Sequence, residues 1–184
     1  LPLHSLEEYR HFVGNGARRL IERAAGTADP AVIGRLLTDF LRIYDRDCLA
    51  RTKPYPGIPE LLAVLSAQRC RLVVVTNKPE EQAVKILEHV FPERPFAAIC
   101  GGRAGRRHKP DPAALLETLE AVGAGPETAI YVGDSDVDVH TAHNAGIPCA
   151  GAVWGFRGEE ELARAGADVL LYEPAGLLRC LELF

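Results

Sequence analysis

The sequence predicts an α/β protein: a Rossmann-like, doubly wound parallel sheet preceded by a small all-helical cap. After about residue 52, short runs rich in Val and Ile alternate with segments of helical periodicity, a pattern typical of parallel strands joined by crossover helices. Before that point every periodic segment is helical. We therefore expect a helical cap over residues 1–52 and an α/β core over residues 53–184.

The helices of the cap have clear sequence signals at their ends. Ser5 and Glu8 match a capping box that opens a first helix. Glycines at 14 and 16 interrupt the helical pattern, and a second helix is expected over 17–25. Asp29-Pro30 places a cap residue and a first-turn proline before a long amphipathic helix that should reach about residue 50. The proline-rich stretch 51–59 indicates a connector.

The core pattern predicts strands and helices in strict alternation after a first helix. The strands are expected at 71–76, 96–100, 129–132, 149–154 and 168–172. The helices are expected at 59–68, 80–90, 112–122, from 136 to the glycine at 146, at 159–165, and at the end of the chain.

Composition restricts the class of function. The chain has 21 basic and 25 acidic residues, a formal charge of −4, which argues against a nucleic-acid surface. No run approaches the ~18 apolar residues of a membrane span. Five scattered cysteines form no zinc pattern, and Cys70, Cys100 and Cys149 lie in or beside apolar runs, which predicts small buried thiols. A cytoplasmic protein, monomeric or homodimeric, is expected.

Three carboxylates follow the strand at 129–132. Asp134, Asp136 and Asp138 lie within five residues, and the carboxyl ends of strands are where open α/β sheets bind ligands. Crowded acids repel one another unless a cation lies between them, and Mg²⁺ prefers one or two carboxylates completed by water and phosphate. Taken alone, the stretch is equally compatible with Asp134 or Ser135 capping the helix and the other acids facing solvent in its first turn.

Other polar groups follow the preceding strands. Thr76 and Asn77 end an apolar strand just before a helix, an arrangement that can cradle an anion or merely cap the helix. Lys109 lies in a loop stiffened by two prolines, which would hold a point charge against phosphate. The neighbouring Arg103, Arg106 and Arg107 are expected to form a solvated rim. The Asn15 turn and Arg18 could contact a polar substrate group, or could belong to a plain turn between helices.

Together these motifs resemble the haloacid dehalogenase superfamily of phosphatases. The matches are the strand ending in Thr76-Asn77, the sequence Lys109-Pro110-Asp111-Pro112, and Gly133-Asp134-Ser135 followed by Asp138. They correspond to the family's second, third and fourth motifs, in the right order. Within the superfamily, the segments 13–17, 75–79 and 131–135 are most similar to bacterial phosphoglycolate phosphatases.

The resemblance implies an enzyme that uses Mg²⁺ to hydrolyse a small phosphorylated metabolite through a phosphoaspartyl intermediate; the best single guess is 2-phosphoglycolate, giving glycolate and phosphate. Asp134 would bind the metal, and Asp138 would hold Lys109 or a water on the metal. Lys109 would neutralise the phosphate. The remaining implied contacts are Thr76 and Asn77 to the phosphate, and Asn15 and Arg18 to a carboxylate.

The family's first motif, an Asp-x-Asp pair that includes the nucleophile, is absent from the sequence. In this fold its strand lies between the strands ending at Thr76 and Val132. The chain starts at Leu1 and contains no methionine, so we expect roughly 25–30 further residues upstream and an inactive chain without them. A phosphomutase, or a non-catalytic phosphate-binding or interaction protein, remains an alternative. A dehalogenase is disfavoured because it has no use for a metal ligand.

Overall fold

The structure, a computed structural model, describes residues 1–181. Three helices come first: α1 (Leu6–Phe12), α2 (Ala17–Ala25) and α3 (Pro30–Asp47). Ser5 and Glu8 form the predicted capping box of α1, and the Asp29 carboxylate accepts the Ala31 and Val32 N–H groups at the start of α3. The helix α3 ends three residues before the predicted limit, and its Ile33 is fully buried.

The rest of the described chain alternates as predicted. Its helices are α4 (Ile58–Ala67), α5 (Glu80–Val90), α6 (Ala113–Ala121), α7 (Asp136–Asn144), α8 (Glu159–Ala165) and α9 (Gly176–Cys180), with a short 3-10 turn at Pro126–Thr128. Its strands are β1 (Leu72–Pro79), β2 (Phe96–Gly102), β3 (Tyr131–Gly133), β4 (Cys149–Ala152) and β5 (Val169–Leu171).

All strand pairs in the described chain are parallel, but they form two separate sheets. One sheet has the order β1-β2, and the other has the order β3-β4-β5. Val75 is in register with Cys100 in the first sheet, and Tyr131 is in register with Cys149 in the second. The parallel α/β class is confirmed. No strand among residues 1–181 joins β1 to β3, which is the position where the resemblance places the family's first strand.

Helices cover both faces of the strands. On one face, α6, α7 and α8 bury Leu119, Val139 and Leu162 against β3 and β4, and valines of β1 pack against the same cluster. On the other face, α4 and α9 pack Leu61 and Leu177 against β4 and β5. This two-sided cover is the doubly wound arrangement. In it, the turns that follow the strands lie together at the carboxyl ends of the strands.

An apolar cleft of about 680 Å³ lies between β1 and β3. Its walls include Val73 and Val75 of β1, and Ile130 and Val132 on the other side. Val132 is 41% exposed there, although it is the middle residue of β3. Within residues 1–181, β1 pairs only with β2 and β3 pairs only with β4, so each has an unpaired edge. An upstream strand between them stays a prediction.

Two expectations about the surface differ from the structure. Cys100 and Cys149 are buried, as predicted, but Cys70 is exposed because it lies in the turn after α4 rather than in the strand that follows. Arg106 is mostly buried and pairs with Glu80 at 2.6 Å, so it is not part of a solvated rim. No helix among residues 1–181 is both long and apolar enough to cross a membrane.

Candidate active site

The turn from β3 into α7 places Asp138 inside the protein. Ser135 begins α7, and its backbone N–H and hydroxyl donate to Asp138 Oδ2 at 3.1 and 2.7 Å. The Asp134 N–H donates to the same oxygen at 3.1 Å. A Cβ added at Gly133 would lie 2.2 Å from the Asp138 Cβ, so glycine is required for this close approach. Ser135 thus occupies the N-cap position of α7, but its hydroxyl donates to the Asp138 carboxylate instead of accepting a backbone N–H of the helix. Asp138 is buried rather than exposed in the first turn.

The other carboxylate oxygen of Asp138 binds Lys109. Lys109 Nζ donates to Asp138 Oδ1 at 2.6 Å, to the Tyr131 hydroxyl at 3.0 Å and to the Val75 carbonyl at 3.1 Å. These three acceptors match the three hydrogens of an ammonium group. Burial by itself lowers the pKa of Lys109, but the neighbouring Tyr131 and the Asp138 carboxylate outweigh it and raise that pKa. Burial raises the pKa of Tyr131 to about 12, so its phenol is neutral at pH 7.

Asn77 fixes the loop that carries Lys109. Its Oδ1 accepts the Lys109 N–H at 2.8 Å, and its Nδ2 donates to the Lys109 carbonyl at 3.1 Å and to the Gly14 carbonyl at 2.8 Å. Both amide hydrogens are thus used to join β1, the Lys109 loop and the cap. The Thr76 hydroxyl oxygen accepts the Lys78 N–H at 3.1 Å and keeps its own hydrogen for another acceptor.

Asp134 is in a different electrostatic situation from Asp138. Its Oδ2 accepts the Phe156 N–H at 3.0 Å, and it takes part in none of the ion pairs within 4.0 Å formed among residues 1–181. Burial and repulsion by the Asp138 carboxylate raise the pKa of Asp134. A partly buried carboxylate without a cationic partner is costly, so Asp134 is the side chain here that a cation would stabilise most.

These residues share one small cavity between the cap and the ends of β1 and β3. The cavity volume is about 330 Å³, and Thr76, Asn77, Lys109, Asp134 and Asp138 all line it. The structure therefore brings together every predicted core residue of the site. Cap residues complete the wall: Val13, Gly14, Gly16, Ala17, Leu20, Phe40 and Tyr44.

The cap residues predicted to contact substrate do not line this cavity. Arg18 is exposed and lies 3.8 Å from Glu22 on the same helix, and Asn15 is absent from the cavity wall. Gly14, Gly16 and Ala17 of the same turn line the wall instead. Sequence reasoning missed Lys78 and Tyr44, which do line the cavity. Lys78 directly follows Thr76-Asn77, which is the one signal that could have identified it.

A divalent cation at this site would need ligands besides the protein side chains described here, such as water or a substrate phosphate. No group of three or more His, Cys, Asp or Glu side chains converges within the described part of the chain. Mg²⁺ does not need such a cage, because it keeps several waters and commonly takes one or two carboxylates plus a substrate phosphate. The unpaired carboxylate of Asp134 meets that requirement and is the candidate ligand.

A protein-family model and several known proteins match most of this chain. Residues 2–152 match the family model described as haloacid dehalogenase-like hydrolase. Phosphoglycolate phosphatase 1 of Pseudomonas aeruginosa is 35% identical over 98% of this chain. A phosphoglycolate phosphatase of Pseudomonas putida is 37% identical over 84% of it. The chain spans 68% and 59% of the lengths of these two relatives.

A solved structure agrees with these sequence matches. The crystal structure of a provisionally named phosphoglycolate phosphatase from Lactobacillus delbrueckii subsp. bulgaricus superposes with a TM-score of 0.87 at 28% identity. The match covers 97% of this chain and 83% of the other. The chain therefore belongs to the haloacid dehalogenase-like hydrolase family.

Proposed function

We propose that the protein is a Mg²⁺-dependent phosphatase that hydrolyses a small phosphate monoester, with 2-phosphoglycolate as the best candidate substrate. The observation that carries this proposal is the shared cavity, in which Thr76, Lys109 and the unpaired carboxylate of Asp134 face the same 330 Å³ space. Phosphoryl transfer gains mainly from positioning and charge neutralisation, which are what these groups can supply. The names of the Pseudomonas relatives support the choice of substrate.

Each side chain has a role that its contacts support. Asp134 would hold Mg²⁺, which supplies positive charge against the phosphate oxygens. The Thr76 hydroxyl would donate to one of those oxygens. Lys109 acts as a fixed positive charge behind the phosphate, since its three hydrogens already have acceptors. Asn77 positions Lys109 rather than binding phosphate through its side chain, because its amide hydrogens are already donated.

The attacking group is proposed to be an aspartate in a segment that precedes Leu1. Asp138 is unsuitable as a nucleophile because both of its oxygens accept strong hydrogen bonds. A parallel strand inserted into the cleft between β1 and β3 would end beside Thr76 and Asp134, at the edge where such sheets bind ligands. Its carboxylate oxygen would bond to phosphorus as the ester oxygen leaves, and water would then hydrolyse the phosphoaspartate.

The test compares two polypeptides: the 184-residue chain, and the same chain extended by its upstream coding sequence. Phosphate release from 2-phosphoglycolate is measured with Mg²⁺ and with EDTA. We expect Mg²⁺-dependent turnover only from the extended chain, and its abolition by Asp134→Ala. Turnover by the 184-residue chain would contradict the proposed origin of the nucleophile.

The same assay separates the alternatives. A phosphomutase would convert one sugar phosphate into its isomer without releasing inorganic phosphate. A non-catalytic binding protein would bind phosphate esters without turnover, even with the upstream segment present. Wild-type activity in the Asp134→Ala variant would remove the metal assignment.

A further inference from the structure

One cationic side chain that lines the cavity has no role in the proposed phosphatase chemistry. Four charged side chains line it: Lys78, Lys109, Asp134 and Asp138. Lys109 is paired with Asp138 at 2.6 Å and is assigned to the phosphate, and Asp134 is the candidate metal ligand. Within residues 1–181 no acidic oxygen lies within the 4.0 Å ion-pair distance of Lys78. Its positive charge is therefore available to an anionic group in the cavity.

Lys78 is held in place by the cap. Its Nζ lies 4.8 Å from the ring centroid of Tyr44 and hydrogen-bonds with the Tyr44 hydroxyl. The Tyr44 ring is stacked on Phe40, at 5.6 Å between centroids and 6° between planes. These neutral contacts restrict the lysine without cancelling its charge. The side chain is therefore already ordered in the free protein, and ligand binding does not have to bear that entropy cost.

The next residue of the cap ties the same turn of α3 to the core. Asp45 accepts from Gln82 Nε2 at 3.2 Å and from Lys85 Nζ at 3.1 Å, and Lys85 also donates to the Asp45 carbonyl at 2.6 Å. Gln82 and Lys85 belong to α5. The Tyr44 hydroxyl is thus kept over Lys78 by contacts that lie outside the cavity.

We propose that Lys78, positioned by Tyr44, binds a carboxylate carried by the substrate and so makes the enzyme specific for small phosphorylated acids. This inference rests on the proposed phosphatase function and names the substrate class for that site. It assigns to the Lys78–Tyr44 pair the role that the sequence suggested for Asn15 and Arg18.

The positions of Thr76 and Lys78 favour a second anionic group, rather than the phosphate, as the ligand of Lys78. Both residues line the cavity, and because they are two residues apart in the chain their Cα atoms lie no more than roughly 7 Å apart. A short substrate whose phosphate lies at Thr76 can therefore place its other end at Lys78. The cavity, at about 330 Å³, is near the lower limit of ligand pockets, which excludes long leaving groups.

The experiment compares two substrates with the same carbon skeleton in the active, extended protein. 2-Phosphoglycolate carries the carboxylate, and in 2-hydroxyethyl phosphate a primary alcohol, CH2OH, takes its place. For Lys78→Met we expect kcat/KM for 2-phosphoglycolate to fall roughly 10- to 100-fold, mainly through KM, as for one charge-assisted contact. The value for 2-hydroxyethyl phosphate should change less than about threefold.

Three further variants make the result specific. Lys78→Arg keeps the charge and should keep most of the preference for the carboxylate. Tyr44→Phe loses the hydroxyl and should weaken only the reaction of 2-phosphoglycolate, by a smaller factor. Lys53→Met removes an exposed lysine that does not line the cavity, and should leave the ratio between the two substrates unchanged.

The outcomes distinguish this inference from the proposed function. Equal losses for both substrates in Lys78→Met would mean that Lys78 serves the phosphate, and no loss would mean that it serves neither; both overturn the inference while the phosphatase stands. If the unchanged protein hydrolyses neither substrate nor any other phosphate monoester, the proposed function itself fails.

Discussion

Asp134 and Asp138 lie four residues apart in one turn but have opposite electrostatic surroundings. Asp138 accepts hydrogen bonds from Lys109 and Ser135, and although burial opposes this, these partners lower its pKa. Asp134 forms no ion pair among residues 1–181, and burial together with repulsion by Asp138 raises its pKa. The Asp138 carboxylate helps hold the fold, and the Asp134 carboxylate is the one that we propose for the metal.

The raised pKa of Asp134 predicts how stability should depend on pH. The unfolded carboxyl titrates near about 3.9, and the folded one at a higher pH. The unfolded state therefore loses its proton first, and stability falls as the pH rises from about 4 through the folded pKa. Asp134→Asn should thus be more stable than the metal-free unchanged protein, by a margin that is small at pH 4 and larger at pH 7, measured by urea unfolding.

Two comparisons test this interpretation. The neighbouring Asp136→Asn variant should be slightly less stable at pH 7, because it loses an acid from the first turn of α7. Added Mg²⁺ should raise the melting temperature of the unchanged protein and not that of Asp134→Asn. A stability margin that does not vary with pH would contradict an unpaired, partly buried Asp134 carboxylate.

The Lys109–Asp138 pair predicts a coupled loss of activity and stability. Lys109→Met should lower kcat of the extended protein by roughly 10²-fold or more, as for loss of a preorganised charge. It should also cost about 3–5 kcal/mol of unfolding free energy, because Asp138 is left buried without its cation. Both values come from kinetics and urea unfolding of the same variant.

The double variant separates the two effects. Adding Asp138→Asn to Lys109→Met removes the stranded charge, so it should restore part of the stability and none of the activity. In the unchanged protein the pair should contribute stability between about pH 4 and pH 10, since Asp138 has a lowered pKa and Lys109 a raised one. A Lys109→Met effect confined to KM would mean that Lys109 only helps binding.

At the scale of elements, the loop after β4 closes against the turn after β3. The Phe156 N–H donates to Asp134 Oδ2, and the Arg157 N–H donates to the Asp134 carbonyl at 3.3 Å. The Arg157 guanidinium also donates to the Val13 carbonyl at 3.3 Å, which links this loop to the cap. Three separate segments therefore determine where the Asp134 carboxylate lies.

Gly155 is the tightest point of this contact. A Cβ added there would lie 2.2 Å from the Asp134 Cβ, closer than any real pair. We expect Gly155→Ala to push the two turns apart and to lower the apparent affinity for Mg²⁺ at least tenfold. The affinity is measured from the melting temperature as a function of metal concentration. The variant should stay folded by circular dichroism.

Gly34→Ala is the matched control for that variant. Gly34 lies within α3 with no atom within 4 Å of an added Cβ, so alanine should raise helix stability by roughly 0.5–1 kcal/mol and leave the response to Mg²⁺ unchanged. If Gly155→Ala binds Mg²⁺ as well as the Gly34→Ala control does, the closing loop does not position Asp134.

At the scale of the whole molecule, the dominant feature is the cleft between the two sheets. A solvent-open apolar space of about 680 Å³ with an unpaired strand edge on each side is an aggregation hazard, because each edge can pair with another chain. The proposed upstream strand would fill the space and satisfy both edges with one element.

The cleft predicts a difference between the 184-residue chain and its extended form. The shorter chain should bind the dye ANS strongly and self-associate as its concentration rises, and the extended chain should do neither. The extended chain should also melt at a higher temperature, since its added strand buries the valines of β1 and β3. Fluorescence, light scattering and calorimetry measure these properties, and equal values for both chains would contradict the proposed strand.

The sequence by itself determined the order of the elements, the parallel α/β class and the residues at the strand ends. Capping boxes, prolines and apolar periodicity are local signals, so Ser5, Asp29 and the strand before Asp134 could be interpreted without coordinates. The closeness of Thr76 and Asp134 followed from such rules, because the carboxyl ends of parallel strands meet at one edge. Lys109, in a loop, was joined to them through the family resemblance.

Only the tertiary structure decided which charges are paired and which remain available. Lys109 meets Asp138 across 29 residues of sequence, and Lys78 meets Tyr44 across 34. Arg106 is buried against Glu80 whereas Arg18 lies at the surface, although both belong to similar basic runs. Local patterns fix backbone conformation, but distances between remote side chains depend on how the elements pack. For that reason Lys78, rather than Asn15 or Arg18, became the residue proposed to select the substrate.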